Sequence, residues 1–68
     1  MVTYTEFGRE VKKALVDRGM TGVWLVEQVR LRTGMYFDPP YLSRLLRGQK
    51  RSRVFEGAIR EVLGLGEV

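Results

Sequence analysis

Hydrophobic positions recur at helical spacing in four stretches of the chain. Phe7, Val11, Ala14 and Leu15 stand at i, i+4, i+7 and i+8, one stripe of a helix, while Arg9, Glu10, Lys12, Lys13 and Asp17 occupy the other faces. Thr5 offers an N-cap, Glu6 suits the positive end of the helix dipole, and Gly19 is a stop, so the first helix is predicted over roughly 5–18. A second helix runs from a Thr21 cap to Thr33–Gly34, with Leu25 and Val29 four apart, Val26 beside them and Trp24 near the start. Trp24 reads as an exposed anchor for a partner or as a partly buried core residue. The second reading is favoured, because large aromatics supply much of a small core's burial. A third helix is predicted over 39–47: Asp38 caps it, Pro39 and Pro40 cost little in the first turn, and Gly48 closes it. Leu42, Leu45 and Leu46 form its stripe, Tyr41 flanks them, and Ser43, Arg44 and Arg47 lie off it. Ser52 caps a fourth helix, in which Val54 or Phe55, Ala58, Ile59, Val62 and Leu63 face inward as far as Gly64, with Leu65 covering the bottom of the core.

The connector from Gly34 to Asp38 is apolar for a loop. At least one of Met35, Tyr36 and Phe37 must enter the core, and Phe37, directly before the Asp38 cap, suits a hydrophobic staple. Tyr36 is free to face outward. A strand here would have no partner elsewhere in the chain. Met1 to Tyr4 reads as an extended lead-in and Gly66 to Val68 as a frayed end. With no repeat, linker or low-complexity segment, residues 1–68 read as a single all-α domain.

Composition adds exclusions. The 68 residues include no Cys and no His, which removes disulfides, thiolates and imidazole ligands. So short a chain buries only about 60% of its unfolded surface, so tight helix packing or self-association is expected to assist the core. No apolar run approaches the roughly 20 residues of a membrane span, and the N-terminus lacks a signal-peptide pattern, so a cytoplasmic protein is expected. Catalysis finds no support. Ser43 and Ser52 have no nearby base, Asp17, Glu27 and Asp38 occur singly, and Gly64-Leu65-Gly66 is only a fragment of a nucleotide fingerprint. Neither an enzyme nor a metal, cofactor, membrane or small-molecule substrate is expected.

Charge is more informative. The net charge is +4, from twelve basic and eight acidic residues. Five of the twelve, Arg44, Arg47, Lys50, Arg51 and Arg53, fall in one decade of sequence, and without them the balance is seven against eight. The excess belongs to one patch, the footprint expected of a polyanion partner. Helices 2 and 3 with their connector have the layout of a helix-turn-helix, whose second helix enters the DNA major groove while helix ends and loops grip phosphates. Helix 3 is short, has one apolar face, and presents on the other Arg, the commonest bidentate partner of guanine. The basic loop behind it suits phosphate neutralisation.

The stretch Tyr41-Leu42-Ser43-Arg44-Leu45-Leu46-Arg47-Gly48-Gln49-Lys50 resembles the Tyr-Ile-Ser-Arg-Ile-Glu-x-Gly-x-Arg segment of Cro and phage-repressor helix-turn-helix proteins. Arg18-Gly19-Met20-Thr21 is similar to that family's helix 1 to helix 2 junction, and Ala58 to Leu65 resembles its closing helix. The likeness spans Phe7 to Leu65. It implies a lambda repressor-like bundle of four to five helices and a DNA-binding transcriptional regulator, often from a phage or other mobile element, working on double-stranded DNA as a homodimer. By position, base reading falls on Arg44, with Tyr41 and Ser43 beside it. Thr21, Arg47, Gln49, Lys50, Arg51 and Arg53 match the parts that meet the phosphate backbone. The chain departs from the pattern in having Gly22 where the family usually has Gln, in Pro39 and Pro40 at the opening of the recognition helix, and in a longer connector.

Blander readings exist for the same residues. Arg44 and Arg47 could be solvated or could pair with Glu56 or Glu61, Tyr41 could be purely core, and surface ion pairs carry only about 0–1 kcal/mol. The functional alternative is a small helical protein-interaction module, an antirepressor or adaptor, using Trp24, Met35 and Tyr36.

Overall fold

The computed structural model describes residues 4–65, and the expectations for residues 1–3 and 66–68 lie outside it. Those residues form four α-helices and no strand: α1 Glu6–Arg18, α2 Gly22–Thr33, α3 Pro39–Arg47 and α4 Arg53–Leu63. Each begins where the sequence supplies a capping side chain. Thr5, Thr21, Asp38 and Ser52 accept hydrogen bonds from the backbone N–H groups of Gly8, Trp24, Tyr41 and Phe55, satisfying donors that the first turn leaves open. None of the four is long and apolar enough to cross a membrane.

The core is one cluster drawn from every helix. Val11, Leu25, Val29, Leu45, Ile59 and Leu63 are fully buried, and so is Phe37 of the connector, the predicted staple. Phe37 stacks at 4.6 Å between ring centroids against Phe55, which settles the choice left open at the start of α4: Phe55 faces in and Val54 faces out. Trp24 is half-buried against the cluster, Leu65 likewise, and Tyr36 is exposed, in line with the sequence.

α2 lies most extensively against α4, while α1 crosses α3 and α4. The α1–α3 crossing is unusually close. Gly8 is buried, and a Cβ added to it would sit 2.1 Å from the Leu46 carbonyl oxygen, so only glycine lets the two backbones meet there. The same carbonyl accepts two hydrogen bonds of 3.1 Å, from the Thr5 N–H and the Thr5 hydroxyl. At the opposite end of α1, the Arg18 guanidinium donates to the Leu63 carbonyl at the end of α4. α1 therefore clamps the C-terminal ends of both α3 and α4.

Candidate nucleic-acid interface

α3 is fixed at both ends. At its start, Asp38 Oδ1 accepts from the Tyr41 N–H at 2.9 Å, and Oδ2 accepts from the Tyr36 hydroxyl at 2.9 Å. That bond to a carboxylate, which the phenolate could not make, raises the Tyr36 phenol above its ordinary value. At its end, Gly48 adopts φ 78°, a left-handed cap, and turns the chain so that the Gln49 and Lys50 N–H groups donate to the Arg44 carbonyl at 2.9 and 3.3 Å. The first residues of the basic loop are thus part of the helix end.

Leu42, Leu45 and Leu46 turn into the core, and Arg44 faces solvent. No ion pair or side-chain hydrogen bond holds the Arg44 guanidinium among the described residues. Ser43 beside it is half-buried. Tyr41 is half-buried in an aromatic trio, with ring centroids 5.3 Å from Phe37 and 5.1 Å from Phe55. Its ring also lies 5.3 Å below the Lys50 ammonium, a cation–π contact that gives this long side chain a preferred place.

The structure brings in two residues the sequence had put elsewhere. Tyr4 sits beside Arg47, and the Lys12 ammonium lies 5.0 Å from its ring centroid. Hydrogen bonding from Lys12 above all, with the Arg47 charge acting in the same direction, pulls the Tyr4 phenol below its ordinary value. The Arg47 Nε is buried with no hydrogen-bond partner. Tyr4, Lys12, Thr21 and Ser43 share the wall of a hollow of about 290 Å³, floored by Leu15, Leu42 and Leu46. Thr21, at the open N-terminus of α2, thereby meets the side of α3 that carries Ser43. Nothing in the linear spacing reveals this, because the meeting depends on how α1 and α2 both pack against α3.

The remaining predicted contacts divide. Gln49 and Lys50 are exposed at the helix end. Arg51 is held by Glu56, with Nε to Oε2 at 3.0 Å and a second contact at 3.4 Å, and this pairing raises the Arg51 guanidinium further above its usual range. Arg53 is exposed at the start of α4 and lines a shallow hollow with Arg51 and Glu56. The two carboxylates considered as partners for Arg44 and Arg47 are taken by others, Glu56 by Arg51 and Glu61 by Arg32 at 3.2 Å. Gly22, in the position where the resemblance leads one to expect Gln, has room: an added Cβ would meet only Leu42 Cδ2, at an ordinary 3.7 Å.

No family model matches the chain, and no curated protein and no solved structure is significantly similar to it.

What the arrangement offers chemically is a short helix end whose cations are not neutralised. Arg44, Arg47 and Lys50 come from α3 and its loop, and Lys12 joins them from α1. The α2 N-terminus adds the open N–H groups of its first turn near Ser43.

Proposed function

We propose that this chain is a sequence-specific DNA-binding transcriptional regulator of the helix-turn-helix kind, acting in the cytoplasm as a homodimer on double-stranded DNA. In this reading α2 and α3 form the motif and α3 enters the major groove. The observation that carries it is the state of Arg44: exposed and unpaired on the outward face of a helix fixed at both ends, with Arg47 and Lys50 beside it. A planar fork held in that way suits bidentate bonds to guanine N7 and O6. Tyr41 supports Lys50 more than it reads bases, since its ring is committed to Phe37 and Phe55. Thr21, Arg47, Gln49, Lys50 and Arg53, with Lys12 added, are assigned to phosphates. The resemblance to phage repressors and Cro supports the same reading and a mobile-element origin.

The test is a salt titration of duplex binding. Four or five phosphate contacts predict a log–log slope of about −4, at roughly −0.9 per contact. Salt-insensitive association, or none with duplex at low salt, would sink the reading.

A second reading, a protein-interaction module, is favoured by the exposure of Met35 and Tyr36 in the connector. Trp24 contributes less to it than its sequence position suggests, being half-buried.

A further inference from the structure

The outer side of α2 and the connector carry a surface that neither the core nor the basic face uses. Leu31 is 76% exposed, Tyr36 73% and Met35 49%. With Glu27, Arg30 and Gly34 they line one open groove of about 570 Å³. Three large apolar side chains in one groove of so small a protein are more than the scattered surface leucine that needs no explanation. α2 is in fact apolar on two sides, since Leu25, Val26 and Val29 already fill its core face.

The charges around the groove identify what covers it. Glu27 and Arg30 line the groove with Leu31, four residues and one residue before it on α2, and neither makes an ion pair among the described residues. The Arg30 guanidinium lies over the Tyr36 ring, 5.8 Å from its centroid. A patch with one acid and one base beside an apolar residue matches its own two-fold image: in an antiparallel pairing whose axis passes between Glu27 and Arg30, each Glu27 faces the other copy's Arg30 and each Leu31 packs beside that pair. A uniformly acidic or basic partner would leave one of the two charges facing its like. The basic face around Arg44, by contrast, would repel a copy of itself.

We infer that a second copy of this chain docks here, through an isologous contact made by Glu27, Arg30 and Leu31. This gives a location to the dimer expected on DNA and rests on that part of the reading alone. A standard interface of about 800 Å² per partner would take about one-sixth of the chain's 4746 Å² surface. The groove supplies less than that, so the free chain is a weak dimer, and two copies held on one duplex gain from their raised local concentration.

The experiment is sedimentation equilibrium on the full chain without DNA, over a wide concentration range. The wild type should pass from monomer to dimer as concentration rises. Glu27→Arg and Arg30→Glu should each weaken association by about tenfold or more, since each sets like charges against each other. Mixed one to one, these two variants should recover a heterodimer, because the two cations of the Glu27→Arg chain then face the two carboxylates of the Arg30→Glu chain. Leu31→Glu should be monomeric alone and in every mixture, with its helical circular dichroism unchanged because the side chain is exposed. A wild type monomeric throughout overturns the inference and leaves the groove to a different protein. A dimer indifferent to all three variants overturns it too, by placing the contact elsewhere. Either failure is separate from that of DNA binding, which the salt titration reads on its own.

Discussion

The basic stretch from Arg44 to Arg53 behaves as two regions. In the first, Arg44, Arg47 and Lys50 ride on α3 and its Gly48 turn, and none of them meets a carboxylate among the described residues. In the second, across the Ser52 cap, Glu56 looks back from α4, holds the Arg51 guanidinium and comes within 3.4 Å of the Ser52 N–H. The charges are alike in sequence and differ in availability. A phosphate approaching Lys50 has only water and an aromatic ring to displace. One approaching Arg51 must compete with a carboxylate whose side chain is 16% exposed. Counting Lys and Arg therefore overstates the available charge at the C-terminal end of the candidate interface and, by omitting Lys12, understates it on α1.

The largest expected effect removes the frame that both regions share. Gly8→Ala drives a methyl group into the Leu46 carbonyl, and overpacking of this kind costs about 1–3 kcal/mol or more. Chemical denaturation should show the loss, and Gly57→Ala, with open space around its Cβ on α4, should show none. The next effect concerns Arg44. Arg44→Ala should cost about 1–3 kcal/mol on the preferred duplex and relax selectivity at one base pair, read by selection from a random pool. Lys50→Ala should instead weaken all duplexes alike.

The sharpest form of the comparison is a pair of salt slopes. Lys50→Ala should flatten the slope by about 0.9, while Arg51→Ala should leave it nearly unchanged. Glu56→Gln, which frees Arg51, should steepen it by up to the same amount. Equal slopes for the Lys50 and Arg51 variants would erase the distinction between the two regions.

The smallest effect is a titration. Tyr4 should ionise below the ordinary phenol value near 10 and Tyr36 above it. The signs for stability are opposite. The Tyr4 contribution is present above the unfolded value and is lost as pH falls through the lowered one. The Tyr36 contribution is present below the unfolded value and is lost as pH rises through the raised one. Carbon-13 shifts of the tyrosine rings, assigned with Tyr4→Phe and Tyr36→Phe, would check the order. Duplex binding should raise Tyr4, because a phosphate near Lys12 and Arg47 offsets their pull.

The comparison also separates what could be read from the sequence from what could not. Helix starts and stops were legible because they are local: Thr5, Thr21, Asp38 and Ser52 each cap within three residues of themselves. The core was legible from periodicity, apart from Val54 against Phe55, where two adjacent apolar residues fit one stripe equally well, and from Phe7 and Val62, which lie only partly buried at its edge. Gly8 was not legible, since its reason is a carbonyl on another helix. Lys12 looked like any solvated lysine until α1 was laid across α3. Glu56 was weighed as a partner for Arg44 or Arg47, and its hold on Arg51 depends on the Ser52 turn bringing α4 back beside the loop. At the candidate interface, the residue types were visible in sequence and their electrostatic availability was not.

The Leu46 carbonyl has one more consequence. It lies 41 residues from the threonine that donates to it twice. The last turn of α3 is thus closed by the first turn of α1, and the two should open together. The Thr5 amide proton, at the edge of the first helix, should exchange with solvent at the pace of the α3 end and not at the pace of a fraying terminus. Shortening the chain past Thr5 would then loosen the Gly48 turn and the position of Lys50, although no basic residue of that face had been removed.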